Sequence, residues 1–484
     1  MNRHQYISDI SFTRWLFRFY LLLLFLAPLP LGSNRPLFWS LLVFVAVLIT
    51  LAWSTGWILG VARWPGVIGR AKWPLITLGL FLAWATLQLL PPGWVPDFTI
   101  PAYIYEAFAT TATKAGLSVD ASTSSDSLLL TIGLVLMAVL TLLLVRSRRR
   151  ILQVLFTLTL AGLFQALYGS LMVLSGIEYG FFEAKEFGRG VATGTFINRN
   201  HFANLLVLAL SAGTGLLLAQ MNLRGSRNMR ERLRSLLQAA LGPKARLRIY
   251  MVVTVIALVL TRSRMGNMSF FAALTIVGFI ALWRLKAPSR PLVVLVVSVL
   301  AIDIFMVGTW FGMEKVVDRI RQTVQVEQDE WHIRDKNRIN ADRETLNIIS
   351  LAPITGMGGG SFYTVYPAWR GIDQKFMDHT HNDYLEFTSD YGLVGVTLLA
   401  WFLALCASKA MRGLRDRDRP QQFGISFASL MAMVAMMVHA TVDFSLHIPA
   451  NATWFIVLCM LPYCLNDPVS PRLNASGNAS NHHE

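Results

Sequence analysis

The sequence predicts an all-α polytopic membrane protein with about 12 transmembrane helices and a large, partly helical periplasmic loop. Of its 484 residues, 54% are hydrophobic and 15% are charged, and the mean hydropathy is +0.49. That composition is too apolar for an ordinary soluble protein. Apolar runs recur at the length needed to cross about 30 Å of hydrocarbon, and basic residues gather in alternate loops. Together these observations predict a chain that crosses the membrane many times.

The predicted spans follow one another along most of the chain. The first run has no clear small-residue cleavage site and is soon followed by others, so we expect it to stay as a membrane helix. The apolar runs lie at residues 14–32, 38–60, 73–91, 127–145, 151–175, 200–220, 249–266, 269–285, 291–313, 392–410, 425–442 and 450–465. They divide the chain into N-terminal transmembrane helices (1–150), central transmembrane helices (151–313), a periplasmic cap loop (314–391), C-terminal transmembrane helices (392–465) and a disordered tail (466–484).

Basic residues predict which loops face the cytoplasm. Lys and Arg cluster in short loops such as 146–150 and 224–248, which the positive-inside rule assigns to the cytoplasmic side of the membrane. Both termini are then expected on that side. The net charge of +15 mostly reflects the topology and contact with membrane lipid. The sequence shows no nucleic-acid-binding fold that would give this charge another meaning. Segment 224–248 is interpreted as a solvated loop or as an amphipathic helix on the membrane, and both interpretations stay open.

The longest loop on the opposite, periplasmic side is predicted to fold as a small cap. It contains a helix signal in "NRINADRETLNIISLA" (337–352), a stop at Pro353 and a glycine turn in "GMGGGSF" (356–362). Cap and helices are expected to enclose a cavity at the outer membrane surface.

Polar side chains converge on this side by topology alone. Guanidinium groups at the ends of two spans favour a phosphate site, because ionisable groups at membrane depth usually face a wet or paired interior. An arginine at a helix end also often just extends to the membrane interface, and for Arg262 and Arg264 both interpretations stay open. The converging residues are Arg199, His201, Arg262, Arg264, Arg343, His379, His381, Asp443 and His447.

The stretch "HNDYLEFTSDYGLVG" (381–395) resembles the pattern of the bacterial O-antigen ligases and related O-antigen polymerases. His381, Asn382, Gly392 and Gly395 occupy the positions of that pattern. The resemblance covers about residues 190–450, whereas the first 150 residues match only as a series of hydrophobic spans. Similar stretches are "GTFINRNHFANLL" (194–206), "TRSRMG" (261–266), in which Met265 intervenes before the glycine, and "RETLNIISLAPITGMGGGSF" (343–362).

The resemblance implies a membrane-embedded glycosyltransferase of GT-C-like architecture with a metal-independent, inverting mechanism and no cofactor. It also implies a multi-pass protein of the bacterial inner membrane whose active site faces the periplasm. Its donor would be a glycan on undecaprenyl pyrophosphate, and its acceptor a sugar hydroxyl of lipid A-core or another surface glycan. A ligase and a polymerase of O-antigen or exopolysaccharide repeat units share these requirements. Both stay open, with the ligase preferred. A lipid-linked sugar transporter and a non-catalytic scaffold among other polysaccharide-assembly proteins are the alternatives from other classes.

The residue chemistry agrees with the implied reaction. Charge that develops on a pyrophosphate leaving group needs fixed cations, which Arg264 and Arg343, helped by Arg199, supply without Mg²⁺. A sugar hydroxyl needs a base that titrates near neutral pH, and His381 is assigned that role. The predicted catalytic residues are His381, Arg264 and Arg343, and the predicted substrate-binding residues are Arg199, Asn382, Arg262, Asp443 and His447.

The neighbours of His381 allow more than one interpretation. Asn382 is expected to cap the following helix, and Asp383 or Asp378 to fix the tautomer of His381. His379 is interpreted as a surface-loop histidine. A metal site formed by "HTH" (379–381) with Asp383 is a less favoured alternative.

Asp443 and His447 belong to "DFSLHIPAN" (443–451), which follows the eleventh predicted span. Residues four apart meet on one helical turn. The two residues are therefore interpreted first as a structural loop pair and second as acceptor-binding groups.

Overall fold

The computed structural model describes residues 3–90, 117–181, 184–185, 188–220, 243–285, 338–371, 377–415 and 418–465. The predicted span 291–313, the first part of the cap and the tail 466–484 lie outside these residues. So does most of the basic segment 224–248.

The described residues form helices joined by turns and contain no β-strand, which confirms the all-α prediction for this part of the chain. The helices are α1 (Arg3–Leu26), α2 (Pro36–Ile58), α3 (Val67–Arg70), α4 (Lys72–Leu87), α5 (Ala121–Leu144), α6 (Arg148–Ser175), α7 (Arg199–Ala219), α8 (Pro243–Leu260), α9 (Arg264–Arg284), α10 (338–351), α11 (Phe362–Val365), α12 (Asp383–Gly413), α13 (Pro420–His439) and α14 (Pro449–Met460).

Seven of these helices are long and apolar enough to cross a membrane: α2, α5, α6, α7, α9, α12 and α13. Two more apolar helices, α4 and the stretch Pro449–Cys464 that contains α14, are shorter. The chain is therefore an all-α protein with several membrane-length helices. The number of about 12 spans stays a prediction.

α7 lies at the centre of the helical bundle. Its residues from His201 to Ala219 are all buried, because α6, α8 and α13 pack around it. α7 and α13 cross at Gly215 and Gly424, where the carbonyl oxygen of each glycine occupies the space that a Cβ on the other would need. Small residues at such crossings let membrane helices pack closely. This crossing fixes α7, whose first turn reaches the candidate site.

α12 is bent at Gly392, where φ is +64°. The glycine turn of the cap packs against this bend. The Gly358 amide donates to the Asp390 carbonyl at 2.9 Å, and the Leu393 amide donates to the Pro353 carbonyl at 2.9 Å. At the bend, backbone groups of α12 lose their partners within the helix. The cap turn supplies hydrogen bonds to them, because buried backbone groups need a partner. The cap turn is therefore held against the first part of α12.

Side chains from α4 and α5 hold the same bend from the other side. The Gln88 side-chain amide donates to the Asp390 carbonyl at 2.9 Å, and the Trp84 indole donates to the Tyr391 carbonyl at 2.9 Å. The Tyr391 hydroxyl lies 2.7 Å from the Ser127 hydroxyl. The first two turns of α12 are thus fixed before the helix continues into its long apolar part.

Gly392→Ala is expected to destabilise the protein. A Cβ at this position would lie 2.2 Å from the Ile354 carbonyl oxygen, and alanine disfavours a positive φ. Strain of this kind costs about 1–3 kcal/mol and should lower the unfolding temperature by at least about 2 °C. The measurement is thermal unfolding of the detergent-solubilised protein, followed by size-exclusion chromatography.

The matched control is Gly79→Ala in α4, where a Cβ meets nothing within 4 Å. Alanine favours a helix more than glycine does, so this variant should unfold at the same or a higher temperature. Equal unfolding temperatures for the two variants would contradict the structural role of the bend.

Candidate functional site

Three histidines surround the carboxylate of Asp443, and we call this group the histidine cluster. Asp443 Oδ1 lies 3.4 Å from His381 Nδ1 and 3.4 Å from His201 Nε2, whereas Oδ2 lies 3.8 Å from His439 Nε2. The histidines come from the first turn of α7, the turn before α12 and the end of α13. The cluster therefore joins three segments that are far apart in sequence.

Asp443 is fully buried, with 0% of its side chain exposed. Burial alone would raise the pKa of this carboxyl, but the nearby His201, the hydrogen bond from His381 and the more distant His439 hold its pKa well below the ordinary value. Its Oδ1 also accepts a hydrogen bond of 3.0 Å from the Phe444 amide. Asp443 is thus an anion over the whole physiological pH range.

The turn that carries His381 has an unusual backbone. His381 has a φ of +57°, which is uncommon for a residue with a side chain and is often found at functional sites. The Thr380 hydroxyl accepts from the Asn382 amide at 3.0 Å and donates to the Asn382 carbonyl at 2.8 Å. This local bonding presents the imidazole to Asp443 while 18% of its side chain stays exposed.

Asn382 caps α12, as the sequence predicts. Its side-chain oxygen accepts from the amides of Tyr384 and Leu385 at 3.1 and 3.3 Å. An N-cap of this kind satisfies amides at the helix start that would otherwise have no partner. The cap sets the direction in which α12 leaves the turn, and so holds the position of His381.

Two further histidine–carboxylate pairs lie beside the cluster. His447 Nδ1 lies 2.7 Å from Asp383 Oδ1, and His379 Nδ1 is hydrogen-bonded to Glu386 Oε1. Glu386 also lies 3.6 Å from His447 Nε2 and accepts from the Thr380 amide at 3.0 Å. We call this group the paired network. It connects the first turn of α12 to the segment after α13.

The paired network changes the protonation of its histidines. Burial alone would lower the pKa of His447, but Glu386 and Asp383 outweigh it and raise the pKa to about 9. Burial would likewise lower the pKa of His379, but Glu386 raises it above the ordinary value. His447 therefore favours the cationic form at neutral pH, which compensates the buried carboxylates.

Phe444 packs among the histidines of both groups. Its ring centroid lies 4.0 Å from that of His379 in a stacked arrangement, 4.5 Å from that of His201 and 5.0 Å from that of His381. An aromatic ring at this position excludes water from the space between the imidazoles. The low polarity that results strengthens the contacts to Asp443.

Two of the predicted arginines lie in the tight turn between α8 and α9. Arg262 has a φ of +50°, and Arg264 is the first residue of α9. Both side chains are exposed. A Cβ on Gly266 would lie 2.5 Å from the Ala203 Cβ, so this turn packs directly on the first turns of α7. The turn is therefore adjacent to the segment that supplies His201.

The other two predicted arginines approach from other elements. Arg199 is the first residue of α7 and is half-buried, whereas Arg343 is exposed on α10. Burial raises the pKa of the neighbouring Asp342, and His381 acts in the opposite direction through its charge. α10 thus lies within electrostatic reach of the histidine cluster.

Several local predictions are wrong. The carboxylate beside His381 is that of Asp443, and not Asp383 or Asp378. Asp443 and His447 do not pair with each other, because the chain after α13 turns away and gives them different partners. His379 is bonded to Glu386 and stacked on Phe444, so it is not a free surface-loop histidine.

Sequence reasoning missed His439, Glu386 and Phe444. His439 could have been found, because it precedes Asp443 by four residues and so shares a helical face with it at the end of α13. Glu386 and Phe444 gave no such signal. In the described part of the chain, no three His, Cys, Asp or Glu side chains are arranged to hold a metal ion.

An apolar cavity of about 240 Å³ opens beside the paired network. Its walls come from α4, α5, α12, α13 and α14, and are formed almost entirely by hydrophobic side chains. Asp383 and Tyr384, in the first turn of α12, also line it. The sequence did not locate such a groove because every span is apolar. The cavity is therefore an apolar space between helices that reaches the polar site at Asp383.

The fold and site define the chain as an all-α membrane protein with a buried histidine–carboxylate centre. Residues 249–400 match a family model described as O-antigen ligase. Over these residues, the match confirms the resemblance to the O-antigen ligases that was drawn from the motifs. The family consists of membrane ligases or polymerases of the glycosyltransferase type that act on lipid-linked sugars in polysaccharide and lipopolysaccharide biosynthesis. No curated protein matches the chain at a significant level.

The raised pKa of His447 makes stability depend on pH. The folded-state pKa of about 9 lies above the ordinary value of 6.5, so protonated His447 stabilises the fold fully below the ordinary pKa. The contribution is lost as the pH rises through the folded-state pKa. His447→Gln removes this titration. Between about pH 7 and about pH 10, the unfolding temperature of the wild type should therefore fall more steeply than that of the variant.

The measurement is thermal unfolding of both proteins over this pH range in one detergent. The difference between the two curves reports the titration of His447 together with the carboxylates coupled to it, Glu386, Asp383 and Asp390. A difference that stays constant with pH would contradict the raised pKa.

Proposed function

We propose that the protein transfers a glycan from undecaprenyl pyrophosphate to a sugar hydroxyl by a metal-independent, inverting mechanism with His381 as the general base. The observation that supports this most directly is the contact of 3.4 Å between His381 Nδ1 and the buried Asp443 carboxylate. A base needs a fixed orientation and an accessible nitrogen. His381 has both, since its side chain is held at one end and partly exposed.

The contact with Asp443 assigns the proton positions on the imidazole. When Nδ1–H donates to the carboxylate, Nε2 of His381 carries the free electron pair. The acceptor hydroxyl gives its proton to Nε2 as its oxygen attacks the anomeric carbon. The bond from that carbon to the pyrophosphate oxygen breaks in the same step, and the pyrophosphate leaves with the electron pair. Attack from the side opposite the leaving group inverts the configuration.

Asp443 stabilises the imidazolium that this step produces. A carboxylate whose pKa lies well below its ordinary value stays charged throughout the reaction. Because the group is buried, its attraction for the positive ring is stronger than it would be in water. The carboxylate therefore both orients the base and lowers the free energy of its protonated form.

The pyrophosphate of the donor is proposed to bind the arginines at the edge of the site. Arg264 and Arg343 are assigned to the leaving group, with Arg199 and Arg262 as further donor-binding residues. They come from α7, which supplies His201, from the α8–α9 turn packed on α7, and from α10, whose Asp342 lies within electrostatic reach of His381. Planar guanidinium groups bind phosphate oxygens in pairs of hydrogen bonds and stay charged at all relevant pH values.

The polyprenyl tail of the donor is proposed to occupy the apolar cavity beside the paired network. The cavity is lined by hydrophobic side chains of five helices and reaches the first turn of α12 at Asp383 and Tyr384. A chain of isoprene units gains free energy from such a surface, whereas its pyrophosphate end needs the polar groups nearby. This arrangement supports a lipid-linked donor.

Asn382, Asp443 and His447 were predicted to bind substrate. Their contacts in the structure are to other protein groups: the start of α12, the histidine cluster and Asp383. These contacts favour a positioning role, in which they hold His381 and the turn around it. Contact with the acceptor is proposed only for the exposed edge of His447.

The choice between a ligase and a polymerase depends on the acceptor. The experiment uses the purified full-length protein in nanodiscs, an undecaprenyl-pyrophosphate-linked glycan and EDTA, with and without lipid A-core. Product on lipid A-core identifies a ligase, which we prefer, and a ladder of longer lipid-linked glycans without that acceptor identifies a polymerase of repeat units. The absence of any product under both conditions would favour a lipid-linked sugar transporter or a scaffold, and would contradict the proposal.

His381→Ala should reduce transfer by at least about 100-fold, because a positioned base contributes at least that factor. The measurement is the initial rate of product formation in the nanodisc assay. His482→Ala in the C-terminal tail is the control of the same residue type, and it should leave the rate unchanged. Near-normal transfer by His381→Ala, at equal amounts of intact protein, would rule out His381 as the base.

Arg264→Ala should lower kcat/KM for the lipid-linked donor, and Arg343→Ala should do the same. Lys at either position should restore only part of the rate, because a point charge does not reproduce the planar fork of a guanidinium. Arg246→Ala, on the exposed first turns of α8, is the matched control. Full recovery with Lys at both positions would show that only net charge matters there.

A further inference from the structure

A second cavity, which is polar, lies at the end of the helical bundle away from the histidine cluster. The N-terminal end of α5 lies beside the cap, where the Thr364 hydroxyl donates to Asp120 at 2.6 Å. α5 has 24 residues, so its other end lies about 36 Å away at a rise of 1.5 Å per residue. The second cavity is next to that far end. Its volume is about 640 Å³, and the residues around it come from α1 and from the junction between α5 and α6.

Five arginines line this cavity: Arg14, Arg18, Arg146, Arg149 and Arg150. We call it the arginine pocket. The described residues that line it include no carboxylate. Several guanidinium groups gathered around one space attract an anion. The first turn of α6 adds to the positive potential, because the amide end of a helix carries a partial positive charge.

Two of the five arginines are fixed by contacts within the protein. Arg146 donates from Nε to the Leu143 carbonyl at 2.7 Å, and Arg150 donates to the Leu144 carbonyl at 2.7 Å. These bonds satisfy carbonyls at the C-terminal end of α5. Arg150 also lies with its guanidinium carbon 5.0 Å from the centre of the Phe17 ring. One wall of the pocket is therefore rigid.

The remaining three arginines, Arg14, Arg18 and Arg149, are exposed and also line the pocket. Arg18 lies over the Trp15 ring at 4.7 Å. Two arginines held by protein contacts and three exposed arginines form a site that suits a phosphate group, since phosphate accepts several charge-assisted hydrogen bonds at once. The pocket thus has the chemistry of a phosphate-binding site.

An apolar surface runs away from the pocket along α1. Trp15, Phe19, Leu22 and Leu26 are all exposed, and their spacing places them on one side of the helix. Exposed apolar side chains on a helix of this length contact lipid chains in a membrane protein. A ligand with a phosphate in the pocket and apolar chains along α1 would contact both the arginines and the apolar surface.

We propose that the arginine pocket binds the phosphodiester headgroup of an anionic phospholipid in the leaflet opposite the histidine cluster. The inference is independent of the proposed transferase activity, because no residue of the pocket belongs to the histidine cluster, the paired network or the apolar cavity. A soluble phosphate shares the headgroup chemistry, but it gains nothing from the apolar surface of α1.

The test is native mass spectrometry of the purified full-length protein in detergent, titrated with phosphatidylglycerol. In the triple variant Arg14→Gln/Arg18→Gln/Arg149→Gln, the dissociation constant for this lipid should rise at least about tenfold, a change of about 1.4 kcal/mol. The matched control is Arg148→Gln/Arg246→Gln/Arg412→Gln. It removes three exposed arginines that do not line the pocket, and should leave the affinity unchanged. Equal losses in both triple variants would overturn the site, because general charge would then explain binding.

Two further arms identify the ligand. Phosphatidylcholine, whose headgroup is neutral overall, should bind more weakly than phosphatidylglycerol and should not distinguish the variants. Millimolar glycerol phosphate or inorganic phosphate should fail to displace phosphatidylglycerol, whereas displacement would identify a soluble phosphate and overturn the lipid assignment. If the triple variant does not fold, Arg149→Gln alone should weaken lipid binding by about threefold. No loss in a folded single variant would also overturn the proposal.

Discussion

The buried carboxylate of Asp443 is the constraint on which the candidate site depends. A buried charge destabilises the fold unless other groups compensate it. Here His201, His381 and His439 approach it from three segments of the chain. The first turn of α7, the turn before α12 and the end of α13 must therefore keep their relative positions. Without Asp443 these imidazoles would have no common partner among the described residues.

The remaining structure supports this arrangement from outside. The bend at Gly392 and the cap turn fix the first part of α12, and the crossing at Gly215 and Gly424 fixes α7 against α13. The paired network then joins α12 to the segment after α13 through Asp383 and His447. The residues near the reaction centre thus lie on rigid elements, which an oriented base requires.

Much of the fold and part of the site could be predicted from sequence. Hydropathy gives apolar helices, and the spacing around His381 and Asn382 correctly predicted a helix cap. The partner of His381 could not be predicted, because Asp443 lies 62 residues further along the chain and only tertiary packing brings it close. Hydropathy also does not fix helix length, and α4 ended after 16 residues, short of a typical span. Hydropathy therefore predicts the helix type but not the number of spans.

The most direct measurement is the pH dependence of glycan transfer by Asp443→Asn, compared with the wild type in nanodiscs. The substitution keeps the shape of the side chain but removes its charge. If Asp443 orients and stabilises His381, kcat should fall at least about 100-fold while KM for the lipid-linked donor stays near the wild-type value. The pH at which activity declines on the acid side should also move. An unchanged kcat and an unchanged pH profile in a folded variant would contradict the role of Asp443.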